Sequence, residues 1–163
     1  MSQAEDLVDD FVHHAHLQER YKTAQGNKVL RYIRKLNKTI AEYLLKKRAI
    51  ETKKEYARVS RWIKEQCISF TSQMLGIVEK DVMNHFKAET DWLSGEIDEQ
   101  KIPNENTVVK EVMFAAFNDV DTIETYLEAL ALRIYRIWDS QLRIAYTTGI
   151  STKQIVNEVL DGR

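Results

Sequence analysis

The sequence has few of the residues that interrupt helices or crosslink a chain. It holds one proline, five glycines and one cysteine in 163 residues. Little proline and glycine argues against strand-and-turn folds, and the single Cys67 excludes an internal disulfide and a zinc site built on paired cysteines. No apolar run approaches membrane-spanning length, and the first ten residues are acidic where a signal peptide is basic and then apolar. We therefore expect a helical protein of a reducing compartment, neither secreted nor membrane-embedded.

The charges that are present divide sharply along the chain. Hydrophobic residues make up 44% of the sequence, enough for the core of one ordinary domain, and the formal net charge is only −1. Residues 1–19 nevertheless hold five acids and no Lys or Arg, residues 20–64 have a net charge of +12, and residues 65–163 have a net charge of −8. This asymmetry indicates a basic surface that faces an acidic partner, either nucleic acid or protein.

Apolar spacing in the first half predicts long helices. One helix is expected over residues 4–21, a second over 27–49, and a third from about Thr52 through Trp92, each with apolar residues three or four positions apart. Gly26 either breaks the first two apart or only weakens a continuous helix. The length of the third segment is typical of a coiled-coil-like hairpin of long helices.

The second half begins with a predicted polar hinge over residues 94–106, which contains Gly95 and Pro103. A short helix over 108–117 follows, then a long helix capped by Asp121 or Thr122 and ended by Gly149. Ser151 or Thr152 caps a last short helix that stops at Gly162. The predicted fold is all-α: an elongated long-helix hairpin over 1–93, including the basic segment 20–64, the hinge, and a smaller helical unit over 107–163.

The basic segment supplies the candidate contact residues, because its cations recur at helical spacing. They would neutralise DNA phosphates or dock on an acidic protein, whereas the alternative is a solvated face. No element that enters a DNA groove carries them, so base-specific contacts are not expected. The candidates are Lys28, Arg31, Arg34, Lys35, Lys38, Lys47, Arg48, Lys54, Arg58 and Arg61.

Two runs resemble the Mu F-like minor head (head morphogenesis) proteins of bacteriophages. The run from Trp138 to Gly162, WDSQLRIAYTTGISTKQIVNEVLDG, is similar to the entry into the Mu F-like domain, where a helix ends at a Gly and a Ser or Thr begins a short helix. The runs HHAHLQERYKT and NKVLR, at residues 13–23 and 27–31, resemble the openings of such proteins. The residues that carry the C-terminal similarity are Trp138, Ala145, Gly149, Ser151, Ile155, Leu160 and Gly162.

The resemblance implies a structural virion component made in the bacterial cytoplasm and placed in the capsid interior near the portal vertex. It implies binding to the portal protein or other head proteins, and to packaged double-stranded DNA without sequence specificity, during head assembly and DNA ejection. It implies no cofactor, no membrane and no turnover, and it leaves homo-oligomerisation open. Family members commonly continue beyond the segment that Arg163 ends here, and the activities of such regions are not carried over.

Other interpretations stay open beside this one. Residues 144–155 also resemble a helix-turn-helix, which would make the chain a DNA-binding regulator, and a helical adaptor that binds only protein is a third class. His13 and His16 lie three apart, with Glu19 near, but two imidazoles do not close a metal site. Cys67 falls in an apolar stripe and is expected to be a buried thiol.

The large aromatic residues have two possible roles, in the core or at an interface. Trp62, Trp92 and Trp138, with Tyr135 and Tyr146, are expected to pack in the core, with interface anchoring as the alternative. The sequence contains no Gly-rich phosphate loop, no HExxH, no nucleophile elbow and no paired-carboxylate site. We therefore expect a protein that is not an enzyme.

Overall fold

The computed structural model describes residues 3–94, 104–114 and 122–161, and these residues form helices without any strand. This confirms the all-α prediction. The described helices are α1 (Gln3–Leu45), α2 (Lys53–Ser94), α3 (Glu105–Phe114), α4 (Ile123–Thr148) and α5 (Thr152–Leu160).

Helix α1 is continuous through Gly26, which settles the alternative between a break and a weakened helix. It ends at Leu45, four residues before the predicted end at Ala49. The Lys47 N–H donates to the Leu44 carbonyl at 2.9 Å, a tighter i to i−3 bond that closes the last turn. The next carbonyls, of Lys47 and Arg48, are taken by Thr152, so they are satisfied outside a helix.

Helix α2 starts with a cap in which Thr52 and Glu55 satisfy backbone N–H groups. The Glu55 N–H donates to Thr52 Oγ1 at 3.1 Å, and Glu55 Oε2 accepts from the Glu51 N–H at 3.4 Å. The helix then runs to Ser94, as the apolar pattern through Trp92 predicted. The predicted hinge begins at this end, but Gly95 and Pro103 lie outside the described residues.

The boundaries of the last helices follow their capping residues. Thr122 accepts from the Thr125 N–H at the start of α4, and Gly149, at φ 74°, donates to the Ala145 carbonyl at its end. Ser151 caps α5 by accepting from the Gln154 N–H. Gly149 was predicted as a cap, and Thr122 and Ser151 were each one of two predicted candidates. Helix α5 ends at Leu160 with Asp161 as its cap, before the predicted Gly162. Helix α3 begins at Glu105, and the end predicted for it at 117 lies outside the described residues.

The chain divides into two compact units, residues 1–39 and 40–163. In the second unit, α2 packs against α4, α3 lies against both, and α5 packs on α4. The residues buried there to 1% exposure or less include Ile40, Leu44, Val59, Ile63, Met74, Trp138, Leu142, Ala145 and Ile155. Among the side chains described between 12 and 39 in the first unit, Leu36 alone is buried. No helix in the described part of the chain has the length and apolar character needed to cross a membrane.

Candidate polyanion-binding surface

Three of the predicted cations lie together at the start of α2. Lys54, Arg58 and Arg61 are four and three residues apart, so they share one helical face. With Thr52, Glu55 and Ala57 they line an open depression of about 630 Å³. The structure therefore brings together a concave basic surface, which we call the α2 basic cluster (Lys54, Arg58, Arg61).

Ion pairs with acidic side chains neutralise these three cations only weakly. Arg58 Nη2 lies 3.9 Å from Glu55 Oε1, but the Arg58 side chain remains 67% exposed. Among the described residues, no ion pair engages Lys54 or Arg61. Exposed ion pairs of this kind contribute little, so the positive potential of the cluster is preserved for an external anion.

Lys47 differs from the other candidates because its ammonium group is engaged within the fold. Its Nζ lies 3.4 Å from Glu55 Oε1 and 5.5 Å from the centre of the Tyr43 ring, and its side chain is 20% exposed. The Tyr43 ring in turn stacks on Trp62 at 3.9 Å. Lys47 therefore fastens the end of α1 to the start of α2, whereas its neighbour Arg48 is exposed.

The candidates on α1 belong to the first unit and are described by themselves. Arg31, Arg34, Lys35 and Lys38 are exposed, and Lys28 is half-buried. Lys28, Arg31, Lys35 and Lys38 follow one another at three or four residues, so they line a single side of the helix. The described residues thus present one basic stripe on α1 and the α2 basic cluster on the second unit.

A Thr on α5 holds the loop between α1 and α2, and sequence reasoning did not predict this contact. Thr152 is 2% exposed, and its hydroxyl donates to the carbonyl of Lys47. The Thr152 N–H also donates to the Arg48 carbonyl at 3.3 Å. Because the partners are more than a hundred residues apart, only the tertiary fold reveals that α5 fixes the basic loop.

A polar network between α2 and α4 was also missed. Asp139 Oδ1 accepts from the Ser60 hydroxyl at 2.6 Å and from the Tyr56 hydroxyl at 2.9 Å, and the Ser60 and Tyr135 hydroxyls are 3.0 Å apart. Arg143 Nη2 donates to Asp139 Oδ2 at 3.2 Å. Among the described residues no buried side-chain polar atom lacks a partner, so this network is satisfied. It joins α2 to α4 without presenting a nucleophile and base to a cleft.

The pKa values of two members of the network, Tyr56 and Arg143, are raised. Burial is the largest cause that raises the pKa of Tyr56, and the hydrogen bond to Asp139 adds to it, because both favour the neutral phenol. The interaction with Tyr56 is the largest cause that raises the pKa of Arg143, and the hydrogen bond to Asp139 and the charge of Asp139 add to it. At neutral pH the network therefore contains a neutral phenol and a charged guanidinium.

The residues that carry the Mu F-like similarity serve mainly to build the end of the fold. Trp138, Ala145 and Ile155 are fully buried, Gly149 takes a left-handed conformation, and Ser151 caps α5. Leu160 is 51% exposed, and Gly162 lies outside the described residues. The motif is thus a helix, a glycine turn and a capped short helix packed on α4.

The same segment bears on the helix-turn-helix interpretation. In that motif the N-terminal residues of the second helix contact base edges. Here Lys153 and Gln154 are exposed, but Thr152 beside them is buried against the Lys47 and Arg48 carbonyls. The start of α5 is therefore partly occupied by the protein itself, which does not favour insertion into a groove.

The histidines and Cys67 complete the predicted sites. His13 and His16 lie on α1 with Leu17 and Arg20 around an open depression, and the side chain of Glu19 is outside the described residues. No group of three or more His, Cys, Asp or Glu that could hold a metal occurs in the described part of the chain. Cys67 is buried, as predicted, and burial raises its pKa to about 12, which keeps the thiol protonated and unreactive.

The aromatic residues singled out in the sequence differ in how deeply they are buried. Trp138 is fully buried and confirms the core prediction, and Trp62 and Trp92 are half-buried. Tyr135 joins the polar network, while Tyr146 is 37% exposed and its ring lies 5.8 Å from that of Tyr56. The core prediction is therefore wrong for Tyr146.

Comparison of the chain with protein-family models, curated proteins and solved structures gave no match. The Mu F-like resemblance therefore rests on the residue runs quoted above.

Proposed function

We propose that this protein is a structural virion component of the phage minor head type, which binds and does not catalyse. It would act in the capsid interior near the portal vertex, against the portal protein and packaged double-stranded DNA. The binding function is supported by the α2 basic cluster, whose three exposed cations share a helical face and line one open depression. The location in the virion rests on the resemblance of residues 13–31 and 138–162.

The geometry supports contact with repeated anions better than recognition of one small ligand. Residues four and three apart place the cations about 6 and 4.5 Å apart along the helix axis, a linear array that suits a polyanion. The depression is open and lined by long, exposed cationic side chains, whereas small-molecule pockets are mostly apolar and enclosed. Such an array neutralises phosphates irrespective of base sequence.

The test uses non-specific duplex DNA as the probe, titrated with the purified chain across a salt series. Wild-type affinity is expected to fall steeply with salt because bound cations release counterions from DNA. The variant with Lys54→Glu, Arg58→Glu and Arg61→Glu should bind more weakly and show a salt slope smaller by roughly 3, about one for each lost phosphate contact. Poly-glutamate of matched charge serves as the acidic polypeptide probe.

The matched control reverses three other exposed cations of the second unit, Lys110→Glu, Arg133→Glu and Arg136→Glu. Its net charge change is identical, so equal loss in both variants would mean that only overall charge matters and would contradict a localised surface. Absence of binding to both DNA and poly-glutamate at low salt would overturn the proposal. Binding to poly-glutamate alone would assign the cluster to a protein partner such as the portal and would favour the helical adaptor.

The regulator alternative makes a different prediction in the same assay. Sequence-selective binding that is lost on changing Lys153 and Gln154 would replace the virion proposal with the helix-turn-helix one.

A further inference from the structure

A second surface of the protein is an apolar groove between α2 and α4 that no other described residue fills. It has a volume of about 290 Å³. Cys67, Thr71 and Ala131 form its buried floor, while Ile68 and Leu132 stand on its two sides at 58% and 42% exposure. Exposed aliphatic side chains that flank a groove mark a place where another apolar group packs.

The two ends of the groove carry opposite charge. Because Ser60 contacts Asp139 and Leu75 lies with Glu124, the two helices run antiparallel along it. Lys64 lies at one end, and the acids Glu124 and Glu128 lie at the other. The two acids are four residues apart on α4, so they share a face, and neither forms an ion pair with another described residue.

The chain itself presents a side chain of matching chemistry. Leu30 on α1 is 50% exposed, and Arg34 is on the same helical face one turn later, with Arg31 beside it. Both arginines are exposed and make no ion pair with a described residue. An aliphatic side chain flanked by two cations is complementary to an apolar groove that ends in two carboxylates.

We propose that the groove between α2 and α4 receives Leu30 of a second copy of this chain, with its Arg31 and Arg34 against Glu124 and Glu128. The opposite net charges of residues 20–64 and 65–163 favour the same pairing over association of like surfaces. Reciprocal contacts, in which each groove receives the Leu30 of the other copy, would give a two-fold symmetric dimer. No residue of the α2 basic cluster lines the groove.

Sedimentation equilibrium of the full chain tests the groove. Leu132→Lys should weaken the dimer by at least about tenfold, because it places an ammonium group in the apolar contact. The control is Ile137→Lys, on the same helix and 47% exposed but outside the groove, and it should leave the dimer constant unchanged. A monomeric wild type, or equal effects of the two variants, would overturn the proposal.

A charge exchange tests the occupant. Arg34→Glu and Glu128→Arg should each weaken the dimer, whereas an equimolar mixture of the two single variants should restore it, because every contact between unlike copies is then complementary. Failure of the mixture to associate, including the case where the contact forms within one chain, would overturn the second copy as occupant. DNA binding of Leu132→Lys, which retains the α2 basic cluster, reports on the proposed function separately.

Discussion

The two units of this protein use apolar residues in opposite ways. Residues 40–163 bury theirs, so that Trp138, Leu142 and Ile155 have no exposed surface. In residues 12–39 the large apolar side chains Val12, Leu17 and Leu30 are each about half exposed. A helix gains most of its stability in proteins from packing an amphipathic face. The second unit is therefore stabilised by its own core, whereas the exposed apolar side chains described in the first unit are suited to contact with a partner.

The cations of the two units differ as well. On α1 they form a stripe along a helix with little buried surface, while Lys54, Arg58 and Arg61 stand on a helix fixed by the core of the second unit. A binding residue on a fixed element loses less conformational freedom when it meets its ligand. This difference is the reason to assign the polyanion contact to α2.

The largest expected effect is the loss of a core side chain in the second unit. Trp138→Ala should lower the free energy of unfolding by about 3–5 kcal/mol, because it removes a fully buried ring and leaves a cavity. The adjacent Ile137→Ala, at a position 47% exposed, should change it by less than about 0.5 kcal/mol. Urea denaturation followed by circular dichroism measures both, and similar costs would mean that the second unit lacks the core described here.

A smaller effect is expected from the polar network that joins α2 to α4. Asp139→Ala removes the acceptor of the Tyr56 and Ser60 hydroxyls, which should cost about 1–3 kcal/mol. Arg143→Ala, whose side chain is 68% exposed, should cost less than about 1 kcal/mol. If the two variants unfold at the same urea concentration, the network does not stabilise the contact between the helices.

The same network gives a pH dependence with a definite sign. Because the folded-state pKa of Tyr56 is raised above 10.0, the unfolded chain loses the phenolic proton first. The contribution of Tyr56 to stability is therefore complete below about pH 10 and is lost as pH rises through its folded-state pKa. Tyr56→Phe should flatten the alkaline part of a stability profile measured by urea denaturation, and an unchanged profile would argue against this phenol as the cause.

The smallest effects come from two glycines, one in each unit, and they should have opposite signs. Gly149→Ala places a Cβ at φ 74° and should destabilise the second unit by about 1 kcal/mol. Gly26→Ala lies inside α1 with open space around it and should stabilise that helix by about 0.5–1 kcal/mol. Denaturation measures the first and amide hydrogen exchange near residue 26 the second. Destabilisation by both would contradict the continuous α1.

Local signals predicted much of the fold because helices depend on neighbouring residues. Gly149 was predicted as a cap from residue type and position alone, and Thr122 and Ser151 were each one of two candidates; all three have that role. The end of α1 was misplaced because the apolar pattern continues past Leu45, while the loop carbonyls are satisfied by a residue from α5. Periodicity reports the face of a helix but not what lies against it.

The candidate surface was predicted only in part for the same reason. The sequence identified ten cations without distinguishing Lys47, which is engaged by Glu55 and Tyr43, from Lys54 and Arg61. Ser60 and Asp139 carried no signal, since a hydrogen bond between residues 79 positions apart leaves no periodic trace. Burial and partners had to come from the packed structure.

The sequence by itself determined that the chain is helical, where most of its helices begin and end, and that its charge divides into a basic and an acidic part. These properties follow from local energetics, namely helix propensity, caps and apolar spacing. The tertiary structure decided that α2 pairs with α4, that Thr152 fixes the basic loop, and that the described part of the chain leaves an apolar groove open beside Glu124 and Glu128. Contacts between distant residues depend on shape and packing in three dimensions, which helical periodicity does not encode.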